Sequence, residues 1–346
     1  MIRVLVVDDS AFARKVLRQT LDGQPDIEVI DIARDGLEAL EKIQELKPDV
    51  VTLDLVMPNL DGIGVLKALP SVNAPCVIIV SISDVASELG VQALELGAVA
   101  LVHKPTALAT ERLYDLSAEL VAAVRSCASV RRPVVAPALE PIESIDLEPP
   151  SPVKTTADLI VVGASTGGPQ ALTRLVAALP KDFPVPVALV LHIPPEYTAP
   201  FAARLDAGSA LEVVEAEEGM ALVAGRVVVA RGGVHLTIVE EAGSLRARLV
   251  LQPATTPHRP AVDVLFESAA RATGARTLGV ILTGMGDDGL SGARAIRQAG
   301  GRIITEAESS CVVYGMPRAV AEAGLSNASV AIEGVPALIR RLLLES

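Results

Sequence analysis

The sequence predicts an α/β protein built as a flavodoxin-like, five-stranded parallel domain linked to a second doubly wound, mostly parallel α/β domain with a hairpin insert. Three observations carry this. Half of the 346 residues are apolar, enough to bury two cores. Short Val/Ile/Leu runs alternate with helical periodicity along most of the chain, the pattern of parallel sheets covered on both faces. Between about 126 and 156 that periodicity stops, and Pro133, Pro137, Pro141, Pro149, Pro150 and Pro152 alternate with acidic residues. Such a stretch favours an extended tether. The expected division is therefore 1–125, a linker at 126–156, and 157–346.

Charge and cysteine use narrow the function classes. The formal net charge is −12, with 42 acidic against 30 basic residues. Nucleic acid and anionic membrane surfaces are unfavourable partners for such a chain. No apolar run is long enough to insert into a bilayer, and Met1-Ile2-Arg3 enters a strand without a signal-peptide pattern. A cytoplasmic location is the expectation. Of three cysteines, Cys76 and Cys311 sit in apolar strand-like contexts and are expected to be core thiols. Cys127 shows no metal-ligand spacing to either.

In the first domain a strand at 2–7 runs into Asp8-Asp9-Ser10, with Ser10 as N-cap of a helix carrying Phe12, Val16, Leu17 and Leu21. Further strands are expected at about 28–33, 49–53, 77–80 and 98–102, each followed by a helix. In a flavodoxin-like order the ends of strands one, three, four and five converge on one edge. That edge collects Asp8, Asp9, Asp54, Ser81 and Lys104. Three nearby carboxylates repel unless a hard cation lies between them, and Mg²⁺ suits oxygen ligands with room for phosphate. A lysine and a hydroxyl at the rim can hold phosphoryl oxygens.

Asp8-Asp9-Ser10, Asp54 with Met57-Pro58 and Asp61-Gly62, Ser81, and Lys104-Pro105 resemble the receiver domain of bacterial two-component response regulators. The resemblance covers nearly all of residues 1–120. It implies that Asp54 accepts a phosphoryl group from a histidine kinase, that Asp8 and Asp9 with Asp54 hold Mg²⁺, and that Ser81 and Lys104 sense the phosphoryl group. Leu101 stands where the family often has an aromatic switch residue. In the linker, Ile142, Ile145 and Leu147 offer a short apolar docking motif.

The second domain opens with an apolar strand at 159–162 and the turn Gly163-Ala164-Ser165-Thr166-Gly167-Gly168-Pro169, followed by helical periodicity at Leu172, Leu175, Val176 and Leu179. A strand turning sharply into a helix exposes a side chain beside backbone N–H groups that have no internal partner. Serine there can be a nucleophile, and the N–H groups can hold an oxyanion. A phosphate-binding or merely tight turn has the same signature, although no P-loop lysine follows. A strand at 185–191 ends at His192. Strand-like segments near 211–215, 226–230, 234–239 and 245–251 suggest the hairpin-containing insert. A strand at 277–282 runs into Thr283-Gly284-Met285-Gly286-Asp287-Asp288-Gly289, and a last strand is expected near 302–305. Three strand ends thus carry Ser165, His192 and an acid, the set nucleophilic acyl chemistry needs. His235 and His258 compete with His192 for the base, and Asp287 with Asp288 for the carboxylate.

These segments, together with His258-Arg259-Pro260, Val262-Asp263 and Cys311-Val312-Val313-Tyr314-Gly315-Met316-Pro317, resemble the protein-glutamate methylesterases of chemotaxis, the CheB family. Behind a receiver domain, the resemblance extends over essentially the whole chain. It implies Ser165 as nucleophile, His192 as base and Asp288 as carboxylate, with backbone N–H groups near Thr166 and Met285 forming the oxyanion hole. It further implies phosphorylation-activated hydrolysis of glutamate γ-methyl esters on a methylated chemoreceptor, glutamine deamidation at the same sites, and no cofactor for ester hydrolysis. A phosphorylation-switched binding protein with a vestigial site is the alternative, argued against by the intact Ser-His-Asp set.

Overall fold

Strand runs too short and too apolar to face water become two stacks of parallel strands, covered by helices whose apolar faces repeat every three to four residues. In the computed structural model, the described residues are 1–70, 74–81, 87–104, 110–128 and 156–344. The chain divides into two compact units. The expected linker falls mainly at 129–155, with its apolar motif, and lies outside the described residues, as does Pro105.

The first unit runs β1 (Ile2–Val7), α1 (Ala11–Asp22), β2 (Ile27–Ala33), α2 (Gly36–Leu46), β3 (Val50–Leu53), α3 (Gly62–Ala68), β4 (Cys76–Ser81), α4 (Ser87–Glu95), β5 (Ala100–His103) and α5 (Thr110–Ala128). The strand order is β2-β1-β3-β4-β5, with every pairing parallel. Ser10, Asp35 and Asp61 cap α1, α2 and α3 by accepting from the N–H groups of Ala13, Glu38 and Gly64. Helix α5 continues to Ala128. Cys76, at the start of β4, is bonded to Cys127 of α5, with Cα atoms 5.7 Å apart. The expectation of a Cys76 core thiol is therefore wrong. The two cysteines are 51 residues apart in sequence, and only the packing of α5 beside β4 brings them together. Cys311 is free and buried, as expected.

After α5 the described chain continues with β6 (Leu159–Ala164), α6 (Gly168–Ala177), β7 (Val187–Leu191), α7 (Pro195–Ala207), β8 (Glu212–Glu215), β9 (Arg226–Val229), β10 (His235–Glu241), β11 (Ser244–Val250), α8 (Val262–Thr273), β12 (Thr277–Ile281), α9 (Leu290–Gln298), β13 (Arg302–Glu306), α10 (Met316–Glu322), β14 (Ala328–Val330) and α11 (Val335–Leu344). Seven strands form one parallel sheet in the order β14-β13-β12-β6-β7-β9-β8. The expected insert is smaller than its sequence suggests. Segments β8 and β9 belong to the main sheet, and β10–β11 alone is the antiparallel hairpin. Its two-residue turn, Ala242-Gly243, has both φ values positive, which matches the twist of the flanking strands.

The core between sheet and helices gathers Val161, Val190, Leu265, Phe266, Ile281 and Ile303, all fully buried. Helix α8 comes close to β6 because residue 163 is glycine. A Cβ there would lie 2.3 Å from Cγ1 and 2.8 Å from Cγ2 of the fully buried Val262.

Two outcomes follow from this packing. Thiol titration of the denatured, unreduced protein should find one reactive cysteine, rising to three after reduction. Gly163→Ala should destabilise the protein by about 1–3 kcal/mol, because β-branched Val262 cannot swing its Cγ atoms away. Urea denaturation followed by circular dichroism reads the shift of the midpoint.

Candidate active site

From β6 the chain moves first to β7 on one side, and later to β12 on the other. The carboxyl ends of β7, β6 and β12 therefore meet at the point where strand order reverses, the place where open parallel sheets present a crevice. Ser165 directly follows β6. Its N–H donates to the Thr283 carbonyl at 3.0 Å, and its own carbonyl accepts from Gly168 at 2.7 Å. Among the described residues no acceptor takes the Thr166 N–H. Gly284 permits the close approach of the next turn: a Cβ there would lie 2.8 Å from Ser165 Cβ and 2.3 Å from Met316 Sδ. Met285, in the same turn, is exposed.

His192 follows β7. Ala164 pairs with Leu191, and the His192 N–H donates to the Ala164 carbonyl at 3.2 Å. Ser165 and His192 thus stand one residue beyond a matched pair on neighbouring strands, which run about 4.8 Å apart. The ring's Nε2 lies 2.8 Å from Asp288 Oδ2. A carboxylate can only accept, so Nε2 carries the proton and Nδ1 keeps its lone pair. Nδ1 is buried and makes no hydrogen bond. His258 stacks on this ring, with centroids 4.1 Å apart and an interplanar angle of 20°. Loss of water around its inner face, then the neighbouring His192, push the His258 pKa down to about 4, although its outer edge is exposed. It is a neutral platform at pH 7.

Asp288 and Asp287 part company. Asp287 is exposed. Asp288 accepts from Val262 N–H at 2.8 Å and Asp263 N–H at 2.9 Å, besides His192. These are the first N–H groups of α8, whose own N-cap residue, Ala261, supplies no side-chain bond. Burial alone would raise the Asp288 carboxyl, but His192 and the two helix N–H groups outweigh it and hold the pKa below the usual carboxylate range. Asp263 returns the cap by accepting from Gly289 and Gly292 N–H at 2.9 and 2.7 Å, at the start of α9. Burial, and then the charge of Asp288, push the Asp263 carboxyl up to about 6.

His235 is occupied elsewhere. Its fully buried ring accepts from Ala261 N–H at Nδ1, at 3.2 Å, and so donates from Nε2 to the Pro253 carbonyl at 3.0 Å. It braces the segment leading into α8 and has no lone pair left for a substrate.

In the first unit, β1, β3, β4 and β5 are consecutive in the sheet, and their ends assemble the second cluster. Asp8, Asp9 and Asp54 offer oxygens within 4.8 Å of one another. Lys104 Nζ lies 2.7 Å from Asp54 Oδ2 and 2.9 Å from Asp8 Oδ2. Lys104 thus pairs with both buried carboxylates. The all-oxygen donor set of three clustered carboxylates fits a hard divalent cation. Burial pushes the Asp8 carboxyl up to about 6 despite Lys104. Burial also works against the Lys104 ammonium, but Asp54 and Asp8 prevail and raise its pKa. Ser81 is buried on the neighbouring strand, its carbonyl accepting from Lys104 N–H at 2.8 Å.

Sequence reasoning assigned no role to Asp263, Thr283 or Glu306, and it did not foresee the His192–His258 stack. The signal for Glu306 was available: a charge ends the apolar run of β13, where it is 1% exposed.

A family model described as CheB methylesterase matches residues 160–339, and one described as response regulator receiver domain matches residues 4–115. Protein-glutamate methylesterase/protein-glutamine glutaminase 5 of Myxococcus xanthus is 60% identical over 344 residues, spanning 98% of this chain and 97% of that protein. A counterpart from Caulobacter vibrioides is 43% identical over 340 residues, covering 96% of each. The crystal structure of the Thermotoga maritima CheB methylesterase catalytic domain aligns with a TM-score of 0.53 at 38% identity, covering 54% of this chain and 99% of that one.

The depressed Asp288 pKa gives a signed expectation. A carboxylate whose folded pKa is lowered contributes stability above its unfolded pKa and loses that contribution as pH falls through the folded value. Asp288→Asn should therefore cost about 1–2 kcal/mol at pH 7, the size of a lost helix cap. The gap to the wild type should close on acidification below the ordinary carboxylate range, as measured by urea denaturation at a series of pH values.

Proposed function

This chain belongs to the CheB methylesterase family, with a response regulator receiver domain ahead of the methylesterase domain, and on that premise we propose how its residues divide the work. The reaction is hydrolysis of glutamate γ-methyl esters on chemotaxis receptors, with deamidation of glutamine at the same positions, switched by phosphorylation. The division of labour is a receiver through the end of α5 at 128, a tether over most of the expected 126–156 linker, and an esterase from Thr156 onward.

The observation that carries the esterase assignment is the buried, unbonded Nδ1 of His192 beside the serine turn, with Nε2 fixed on Asp288. Ser165 Oγ gives its proton to Nδ1 and attacks the ester carbonyl. The imidazolium that forms is stabilised by Asp288, which stays ionised at the N-terminus of α8. The oxyanion is received by the Thr166 N–H and the backbone at Met285. Methanol leaves with the proton from His192, and the glutamyl-enzyme remains. Water, deprotonated by His192, then releases the glutamate. With glutamine, ammonia is the leaving group.

In the receiver, Asp54 is the phosphoryl acceptor, with a histidine kinase as donor. Asp8, Asp9 and Asp54 would hold Mg²⁺, which when bound neutralises phosphoryl oxygens. Lys104 would move from Asp54 to the phosphoryl group, and Ser81 would contact it from the adjacent strand. Among the described residues, no helix is long and apolar enough to cross a membrane. A cytoplasmic enzyme acting on a receptor's cytoplasmic part fits this.

Methanol release from methylated receptor is the test. Ser165→Ala should lower it by about 10³-fold or more, and Asp288→Asn by a comparable factor through the wrong imidazole tautomer. Asp54→Ala should abolish stimulation by a small acyl phosphate. Receptor binding without methanol release by the wild type would leave only the vestigial-site reading.

A further inference from the structure

One buried carboxylate and one buried hydroxyl beside the serine turn take no part in the mechanism above. Glu306, at the end of β13, and Thr283, just after β12, are each 1% exposed. Glu306 Oε2 accepts from the Thr283 N–H at 2.8 Å, and Oε1 accepts from Ser310 Oγ at 2.9 Å. Ser310 Oγ in turn accepts from Ile332 N–H at 2.9 Å. The Thr283 hydroxyl donates to the Thr166 carbonyl at 2.9 Å and accepts from Val313 N–H at 2.9 Å. The Thr283 carbonyl accepts from the N–H of Ser165 itself. Every polar group of Thr283 is thus engaged. Two of its bonds end on the nucleophile turn, one on each side of the peptide whose N–H is left open.

We propose that Thr283, held by Glu306, is a positioning residue that sets the orientation of the Ser165–Thr166 peptide and so aims the Thr166 N–H at the developing oxyanion. A buried carboxylate on an apolar strand is costly unless its hydrogen bonds are all made. Here one oxygen takes the Thr283 N–H and the other the Ser310 hydroxyl, so the end of β13 is tied to the turn after β12. A donor misplaced by about 1 Å lowers turnover far more than binding, because the oxyanion exists only in the transition state.

This inference rests on the esterase reading, and its test separates the two. In the full-length protein, Thr283→Val keeps the side-chain shape and removes the hydroxyl. Turnover of methylated receptor should fall about 10²-fold with KM changed by less than about twofold, and Thr283→Ser should recover most of the loss. Glu306→Leu, which removes the acceptor of the Thr283 N–H, should lower turnover in the same sense. Amide hydrogen exchange across 163–170 should quicken in Thr283→Val while β6 and β12 keep their protection. Turnover of Thr283→Val within about threefold of wild type, or a loss that Thr283→Ser does not reverse, overturns the proposal. If the wild type released no methanol, the esterase reading would fall and the exchange measurement alone would decide whether Thr283 orders the turn.

Discussion

The Asp288 carboxylate is the point on which the catalytic unit turns. It receives three donors at once: the ring of His192 and the first two N–H groups of α8. A helix N-terminus is electropositive, so an anion placed there is stabilised although most of its water is lost. That is how a largely buried carboxylate stays charged and can hold an imidazole in one tautomer. The helix cap and the hold on the imidazole are therefore one interaction. Asp263 reciprocates at α9, so the two helices are tied head to head across the same few ångströms that orient the ring.

Both units draw on one topological device. In each, the chain lays strands to one side and then the other of a founding strand, and polar side chains cluster at the strand ends flanking the reversal. What differs is which side chains stand there. Around β1 and β3 they are carboxylates with a lysine among them, an arrangement for metal and phosphoryl oxygens. Around β6, β7 and β12 they are a hydroxyl, an imidazole and a carboxylate joined to a helix start. The sheet supplies proximity and the loops supply chemistry.

Much of this was legible in the sequence because strand ends are marked by a change from aliphatic to polar residues. That change located Asp8, Asp54, Lys104, Ser165 and His192, and glycine-rich turns located Asp288. What failed was whatever depends on partners far away in the chain. β8 and β9 look like the hairpin strands that follow them, and only register against β7 shows that they extend the parallel sheet. β14 has three residues and no periodicity to detect. The Cys76–Cys127 bond needs α5 laid beside β4. Asp263 looked like an ordinary first-turn acid, and its partners lie 26 and 29 residues away. Coordinates separate His192 from its rivals: among the described histidine side chains, it alone has a buried ring nitrogen with no hydrogen bond.

The brevity of the outermost strands in the seven-stranded sheet has a consequence of its own. At one margin stands the three-residue β14, and at the other the four-residue β8, which begins and ends with glutamate. An incoming chain would find few free peptide groups to ladder onto, and at β8 it would meet like charge. The fold thereby limits its own propagation: a broad, aliphatic sheet of the kind that seeds fibrils is finished at both borders by stubs that offer a neighbour almost nothing to extend.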